Sequence, residues 1–200
     1  MMVIGLTGSF GTGKSTAAAK FKKKGAAVLD ADQVARQLLK GVCKKAVVRS
    51  FGKYILRNGA IDRRKLGPVV FNNKQALKKL TRIIHPAVIK EFRKKISDYR
   101  KGGKVRVVVM DVPLLFESGL DRLADVTITV KAGQKDQIAR ATKRFKITKP
   151  QALKRIKSQM PLSQKIMLSD IIIDNRGSLN NLEHQVNAIW NKLQKRHLSI

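Results

Sequence analysis

Two spacings alternate along the chain. Residues 3–7, 26–29, 105–110, 126–130 and 171–175 are short apolar runs, nearly free of charge and rich in Val and Ile. Runs too uniformly apolar to alternate suit strands buried on both faces of a parallel sheet. Between them apolar residues recur every three or four positions, the helical period. Residues 14–24 read as a helix closed by Gly25, and residues 33–39 and 46–56 as two more. Asn58-Gly59 marks a turn. Residues 73–84 put Leu77, Leu80 and Ile84 on one side, with Ala76 and Ile83 beside them. His85-Pro86 is expected to end that helix. Pro86 then opens another, which carries Val88, Phe92, Ile96 and Tyr99 as far as Gly102-Gly103. Late in the chain, residues 134–144, 149–160 and 179–193 read as helices. Leu182, Val186, Ile189 and Leu193 face inward on the last, with Trp190 packed beside them.

This order predicts an α/β fold, a doubly wound parallel sheet of about five strands. Residues 31–101 are far longer than one crossover helix requires, so they form a helical insert of the kind that builds an acceptor pocket. The short basic helices of residues 139–168 occupy the place of a lid. The sheet core is then expected at about 1–30, 104–138 and 170–200, all within one domain.

Composition changes the picture in one respect. Forty-three Lys and Arg against 13 Asp and Glu give a net charge of +30, a surface that attracts polyanions. The basic residues are spread over the whole chain, and aromatics make up only 5%. No Arg/aromatic interleaving of an RNA-binding strand is present. The charge therefore reads as a solvated surface with non-specific polyanion binding, not specific nucleic-acid recognition. Cys43 is the single cysteine, a small core filler with no partner for a disulfide. No apolar stretch reaches the length of a membrane span, and the first residues read as a strand, which predicts a cytoplasmic protein with no membrane partner.

The chemistry starts after the first run. Gly8-Ser9-Phe10-Gly11-Thr12-Gly13-Lys14-Ser15 fits G-x-x-x-x-G-K-[ST], the phosphate-binding loop between a strand and a helix. Gly8, Gly11 and Gly13 are expected to take positive φ and let backbone N–H groups close on an anion. Lys14, read as solvent-facing, would reach the β- and γ-phosphates of ATP, and the Ser15 hydroxyl would bind Mg²⁺. The following helix adds its positive end. Asp30 and Asp32 close the second run, at the strand edge where ligands of open parallel sheets sit; helix capping is the alternative role for Asp30. Pro113-Leu114-Leu115-Phe116-Glu117 reads as an apolar loop at the end of the third run, either covering a ligand or filling the core. Arg140 and Arg144, four apart, share a helix face with Lys143 and Lys146 nearby, so an arriving anion is read as their partner.

Together these motifs resemble the dephospho-CoA kinase family. The carrying residues are the Gly8–Ser15 loop with Thr16, Asp30-Ala31-Asp32, Ala35-Arg36, Phe51-Gly52, Asn58-Gly59-Ala60-Ile61-Asp62-Arg63, Val70-Phe71 and His85-Pro86. Pro113-Leu114-Leu115-Phe116-Glu117, Gln137-Ile138 with Arg140 and Arg144, Gln159, and residues 170–177 complete a collinear match over nearly the whole chain. Phe10, often smaller in the family, Asn58 in place of the more usual Asp, and the basic surface are the departures.

The resemblance implies a P-loop NTPase type of sheet, with transfer of the ATP γ-phosphoryl group to the ribose 3′-hydroxyl of dephospho-CoA. It implies ATP and Mg²⁺ as cofactors and dephospho-CoA as the small-molecule partner of a monomer or weak homo-oligomer. Asp32 resembles the base, while Lys14, Arg140 and Arg144 resemble the groups that act on the phosphates. Gly8, Gly11, Thr12, Gly13, Ser15, Thr16 and Asn175 fall in the nucleotide site. Arg63, His85, Pro113, Leu114, Leu115 and Glu117 resemble the acceptor surface. The rival readings are a nucleoside or nucleotide monophosphate kinase and a nucleic-acid-binding ATPase.

Overall fold

The computed structural model describes residues 1–71 and 73–198, which fall into two compact units, Met1–Asp30 with Asp98–Ile200, and Ala31–Ser97. In chain order the first unit begins with β1 (Met2–Thr7), α1 (Lys14–Lys23) and β2 (Ala27–Asp30). The second contains α2 (Ala31–Lys40), α3 (Lys44–Phe51), a 3₁₀ turn (Lys53–Ile55), β3 (Leu56–Arg57), β4 (Ala60–Ile61), α4 (Arg63–Phe71) and most of α5 (Lys74–Gly102). The chain then returns to the first unit. There it adds β5 (Val107–Asp111), α6 (Leu115–Ser118), a 3₁₀ turn (Leu120–Leu123), β6 (Val126–Lys131), α7 (Gln134–Phe145), α8 (Lys149–Lys157), α9 (Leu162–Leu168), β7 (Ile171–Asp174) and α10 (Leu179–Leu198).

The five long strands form one parallel sheet in the order β2-β5-β1-β6-β7. β1 is central, and the chain order reverses on either side of it, which makes its carboxyl end the switch point of the sheet. Register aligns Asp30 with Asp111 and Thr7 with Thr129, so Asp30, Asp111 and Thr7 end their strands together on that edge. Ile4, Leu6, Val109, Ile128, Val130 and Ile173 are fully buried, as the uniformly apolar runs require. α1 and α10 bring Phe21, Leu182, Val186, Leu193 and Trp190 to this core, with the Phe21 and Trp190 rings 6.5 Å apart.

In the second unit, Asn58 (φ 48°) and Gly59 (φ 74°) both take positive φ, and Arg57 pairs with Ala60. That is the two-residue hairpin turn Asn-Gly favours. Cys43, Val47, Phe51, Ile55, Leu66 and Val70 form a core against Leu77, Leu80 and Ile83 of α5. Burial pushes the Cys43 thiol up, as for an inert core cysteine.

Several elements differ from expectation. α5 runs unbroken through Pro86. A proline inside a helix costs about 3 kcal/mol. Packing on both sides offsets it: Leu77, Leu80, Ile83 and Ala87 pack on the cluster, and Val88, Phe92 and Ile96 are buried. Residues 46–56 divide into the end of α3, a 3₁₀ turn and β3, because Gly52 (φ 87°) terminates the helix. α4, α6 and α9 are additional. α6 forms where a loop was expected, α8 stops at Lys157 instead of running on to Pro161, and Pro161 stands at the N-cap of α9.

Candidate active site

The loop between β1 and α1 is built by close approach. Gly11 (φ 82°) and Gly13 (φ 90°) have the left-handed backbone anticipated for them. Gly8 does not, and its requirement is spatial: a Cβ there would lie 2.6 Å from Thr12 Oγ1 and 2.7 Å from the Val130 carbonyl. At Gly11 a Cβ would run into the Gln137 carbonyl, and at Gly13 into Asn175 Nδ2.

Hydrogen bonds hold the loop from both sides. Thr12 Oγ1 donates to the Ser9 carbonyl (2.9 Å), and Asn175 Nδ2 donates to the Thr12 carbonyl (2.8 Å). Gln159 Oε1 accepts from the Phe10 amide (2.9 Å) and from Ser9 Oγ (3.3 Å). The Phe10 ring stacks on Phe145 at 4.9 Å, and the Arg155 guanidinium lies 5.3 Å from the Phe10 ring. Arg140, expected to lack a partner until an anion arrives, donates to the Asn175 carbonyl (2.9 Å) and the Thr12 carbonyl (3.4 Å). Backbone carbonyls, invisible to a search for acidic neighbours, satisfy it. Arg144, one turn on, is exposed, with its guanidinium 5.4 Å from the Phe145 ring.

Lys14 is not solvent-facing. Its ammonium pairs with Asp111 Oδ1 at the end of β5, and the two side chains are only 12% and 7% exposed. The neighbouring strand therefore delivers a carboxylate to the loop lysine. Ser15, in the first turn of α1, is exposed, and Thr16 is half-buried.

The stretch after β5 divides between core and surface. Leu115 is fully buried, and a Cβ at Gly5 would lie 3.0 Å from it, so it packs beneath the sheet. Pro113 and Leu114 are half-buried and Glu117 is exposed. The Pro113 carbonyl accepts from Thr7 Oγ1 (3.2 Å) and from Lys165 Nζ (2.5 Å). Lys165 also pairs with Glu117 at 2.9 Å, and Glu117 Oε1 takes the Met160 amide at 2.9 Å. Burial pushes the Lys165 ammonium below the usual lysine range, and the Glu117 carboxylate opposes that shift. Nothing in the sequence signalled this lysine. Within Lys165-Ile166-Met167-Leu168 it is the charged residue that is fully buried, while Met167 and Leu168 are 84% and 55% exposed.

Asp170 anchors the far side of the sheet, accepting from the Thr127 amide (2.8 Å) and hydroxyl (2.7 Å), which hold its carboxyl below the ordinary range. In the second unit, Asp32 stands exposed in the first turn of α2. Arg63 opens α4, also exposed, and His85 is half-buried within α5.

The family model for dephospho-CoA kinase matches residues 2–181. The dephospho-CoA kinase of Carboxydothermus hydrogenoformans is 40% identical over 193 residues, 95% of this chain and 93% of that one. Among solved structures, the Thermus thermophilus protein TT1252 aligns with a TM-score of 0.81 at 31% identity, covering 96% of this chain and 97% of its own. A dephospho-CoA kinase from Campylobacter jejuni aligns with a TM-score of 0.72 at 26% identity, covering 98% of each chain.

Proposed function

The chain belongs to the dephospho-CoA kinase family, ATP-dependent kinases of the last step of coenzyme A synthesis, and on that premise we propose how its residues divide the work. The γ-phosphoryl group of ATP passes to the ribose 3′-hydroxyl of dephospho-CoA. The hydroxyl oxygen bonds to phosphorus, the bond to the β-phosphate oxygen breaks, and ADP leaves. Little covalent chemistry falls to the protein, so positioning and charge stabilisation dominate.

The observation that carries the reading is the loop itself, with two left-handed glycines, Asn175 and Gln159 bracing it, and Lys14 at its helical end. Its amides and Lys14 hold the β- and γ-phosphates, with Gly8, Gly11, Thr12, Gly13, Ser15 and Thr16 forming the cradle. Arg140 keeps Thr12 and Asn175 in register, and Arg144, exposed one turn later, meets the transferring group.

Mg²⁺ fits the oxygen donors here. Ser15 Oγ is exposed at the helix start, and the Asp111 carboxylate reaches the loop lysine. Among the described residues no group of three or more His, Cys, Asp or Glu gathers for a metal, so Ser15 and Asp111 are the protein groups that would hold the ion, magnesium being bound mostly through substrate phosphates and water. Bound there, the ion neutralises charge building between the β- and γ-phosphates.

Asp32 takes the proton of the 3′-hydroxyl, and Arg63, His85, Pro113 and Leu114 meet the acceptor. Leu115 and Glu117 support Pro113 and Leu114 from within their own unit, given the burial of one and the ion pair of the other. Use of ATP supports a cytoplasmic setting.

Asp32→Asn tests the assignment of the base. A proton acceptor contributes about 10²–10⁴-fold. Single-turnover transfer should fall by that range while ATP affinity, measured by calorimetry, is kept. An unchanged rate, or a loss confined to ATP affinity, would overturn it.

A further inference from the structure

The second unit carries 18 Lys and Arg against three Asp and Glu, and the exposed side of α5 gathers a third of those cations in one line. Lys78, Lys79, Arg82, Lys90, Arg93 and Lys94 are all exposed. Their separations of three, four and eight keep them on one side of the helix. From residue 78 to residue 94 the line runs about 24 Å at the helical rise. The opposite side carries Leu77, Leu80, Val88, Phe92 and Ile96 inward.

The line is not balanced by acids. Within this unit α5 contributes a single carboxylate, Glu91, which is half-buried and lies 3.6 Å from Lys95, off the exposed row. α3 lies alongside: Lys79 Nζ donates to the Ser50 carbonyl (3.3 Å) and Cys43 Sγ approaches the Ile83 carbonyl (3.9 Å). That helix adds Lys45 and Arg49, exposed and four apart, and no acid. The first exposed carboxylate along α5 is Asp98, where the unit ends.

Like charges in a row are unfavourable unless an anion of matching length neutralises them. A single triphosphate engages one loop; six cations along about 24 Å match a linear polyanion. One strand of duplex DNA presents phosphates about every 3.4 Å along its axis, so the row spans roughly seven. A membrane-surface helix needs bulky apolar residues flanking its cations. The uncharged residues on this side are exposed Gln75, Pro86 and Ser97 and a single half-buried Ile89, and the exposed large apolar residues among those described in the unit are Val42 and Tyr54, neither on α5.

We infer that the α5 row, flanked by Lys45 and Arg49 of α3, is a docking surface for duplex nucleic acid, gripping its phosphate backbone without reading its bases. The partner is a polyanion distinct from the kinase substrates, and the inference does not depend on the catalytic roles given above.

The test separates this row from the charge of the whole molecule. One variant carries Lys78→Gln, Arg82→Gln, Lys90→Gln and Arg93→Gln. A matched variant carries Lys22→Gln, Lys24→Gln, Lys104→Gln and Lys192→Gln, which are exposed residues of the first unit outside α5. Both lose four charges. Binding to a labelled 24-base-pair duplex of random sequence is followed by fluorescence anisotropy over a salt series, with kinase turnover as the control for folding. Each phosphate contact contributes about 0.9 to the slope of log K against log salt. The α5 variant should lose about three to four in that slope with turnover kept, and the matched variant less than one. Equal losses in both would overturn the docking surface in favour of diffuse attraction. So would wild-type protein that binds phosphatidylserine vesicles but not the duplex at about 0.15 M salt.

Discussion

The two units carry the same net charge by opposite means. The sheet unit has 25 Lys and Arg against ten Asp and Glu; the helical unit has 18 against three in half the length. In the sheet unit the acids have positions to hold. Asp111 meets Lys14, Asp125 takes the Val3 amide at 2.7 Å, Asp170 takes Thr127, Glu117 takes Lys165 and Met160, and Asp174 takes Arg176. A charge there is a coordinate in a geometry, and moving it disturbs a named neighbour. Along α5 the exposed charges act mainly as a field: Lys79 donates to the Ser50 carbonyl, but among the described residues no acid pairs with a member of the row. The consequence for mutation is direct. Single charge deletions should be costly in the sheet unit and nearly silent along the α5 row, where surface substitutions stay within about 0.5 kcal/mol.

The largest effect is expected at Lys14. Lys14→Ala removes the phosphate contact and strands Asp111, 5% exposed, without its ammonium. Turnover, followed by coupled ADP release, should fall by at least about 10²–10³-fold. Breaking a buried pair costs about 3–5 kcal/mol, so the ligand-free melting temperature should also drop, by roughly 5–10 °C. A variant that melts like wild type would show that the Lys14–Asp111 pair does not behave as a buried one.

Lys165→Met comes next. It leaves Glu117 unpaired and releases the Pro113 carbonyl, so a loss of about 3 kcal/mol is expected in urea unfolding. The folded ammonium has a lowered pKa, so the unfolded chain holds more protons just below the ordinary lysine value of 10.5. Wild type should therefore gain stability relative to Lys165→Met as pH rises through that window, and a flat difference between them would sink the idea. Gln159→Ala is milder. It removes one neutral acceptor shared by Phe10 and Ser9, worth about 0.5–1.5 kcal/mol, and should weaken ATP binding roughly 3–10-fold with turnover at saturation little changed. Unaltered ATP affinity would mean that the loop keeps its shape without this brace.

What was legible in advance follows the same division. The five strands and the loop were readable because each is local: an apolar run, or eight consecutive residues of required type. The hairpin at Asn58-Gly59 is half of that case, since the turn was evident while the two-residue strands beside it were too short to show periodicity. The uninterrupted α5 was not legible, because proline's local penalty there is outweighed by packing contributed from α3 and α4. Lys14–Asp111 joins residues 97 positions apart, through strand neighbours that only the sheet order brings together. Arg140 and Gln159 exchange hydrogen bonds with backbone groups, which every residue possesses and no motif records. Lys165 reverses the rule that charge faces outward, and its reason lies in Pro113 and Glu117, about 50 residues earlier.

The smallest effect concerns acid. Asp174 is held down to about 2, chiefly by the Arg176 guanidinium and further by Lys131, and Asp170 is held below the ordinary value of 3.8 by the Thr127 hydroxyl and amide. A carboxyl whose folded pKa lies below its unfolded one contributes stability that is complete above the unfolded value and is lost as pH falls through the folded value. The sheet unit should therefore keep its stability from neutral pH down to about 5 and lose it between roughly pH 4 and 2. Asp174 is 31% exposed and Arg176 64%, so solvent screens the pair, and its share is set below about 1 kcal/mol. Asp174→Asn should accordingly lower stability only slightly at pH 7 and shrink the acid-induced loss by the same small amount. Asp170→Asn, which weakens two hydrogen bonds at the base of β6, should do more. The helical unit holds just three carboxylates, Asp32, Asp62 and Glu91, so hydrogen exchange at pH 3 should open amides of β6 and β7 ahead of those of α3 and α4. The reverse order, or an acid transition untouched by both substitutions, would break the contrast between charge held by acids in one unit and charge set without them on the α5 row.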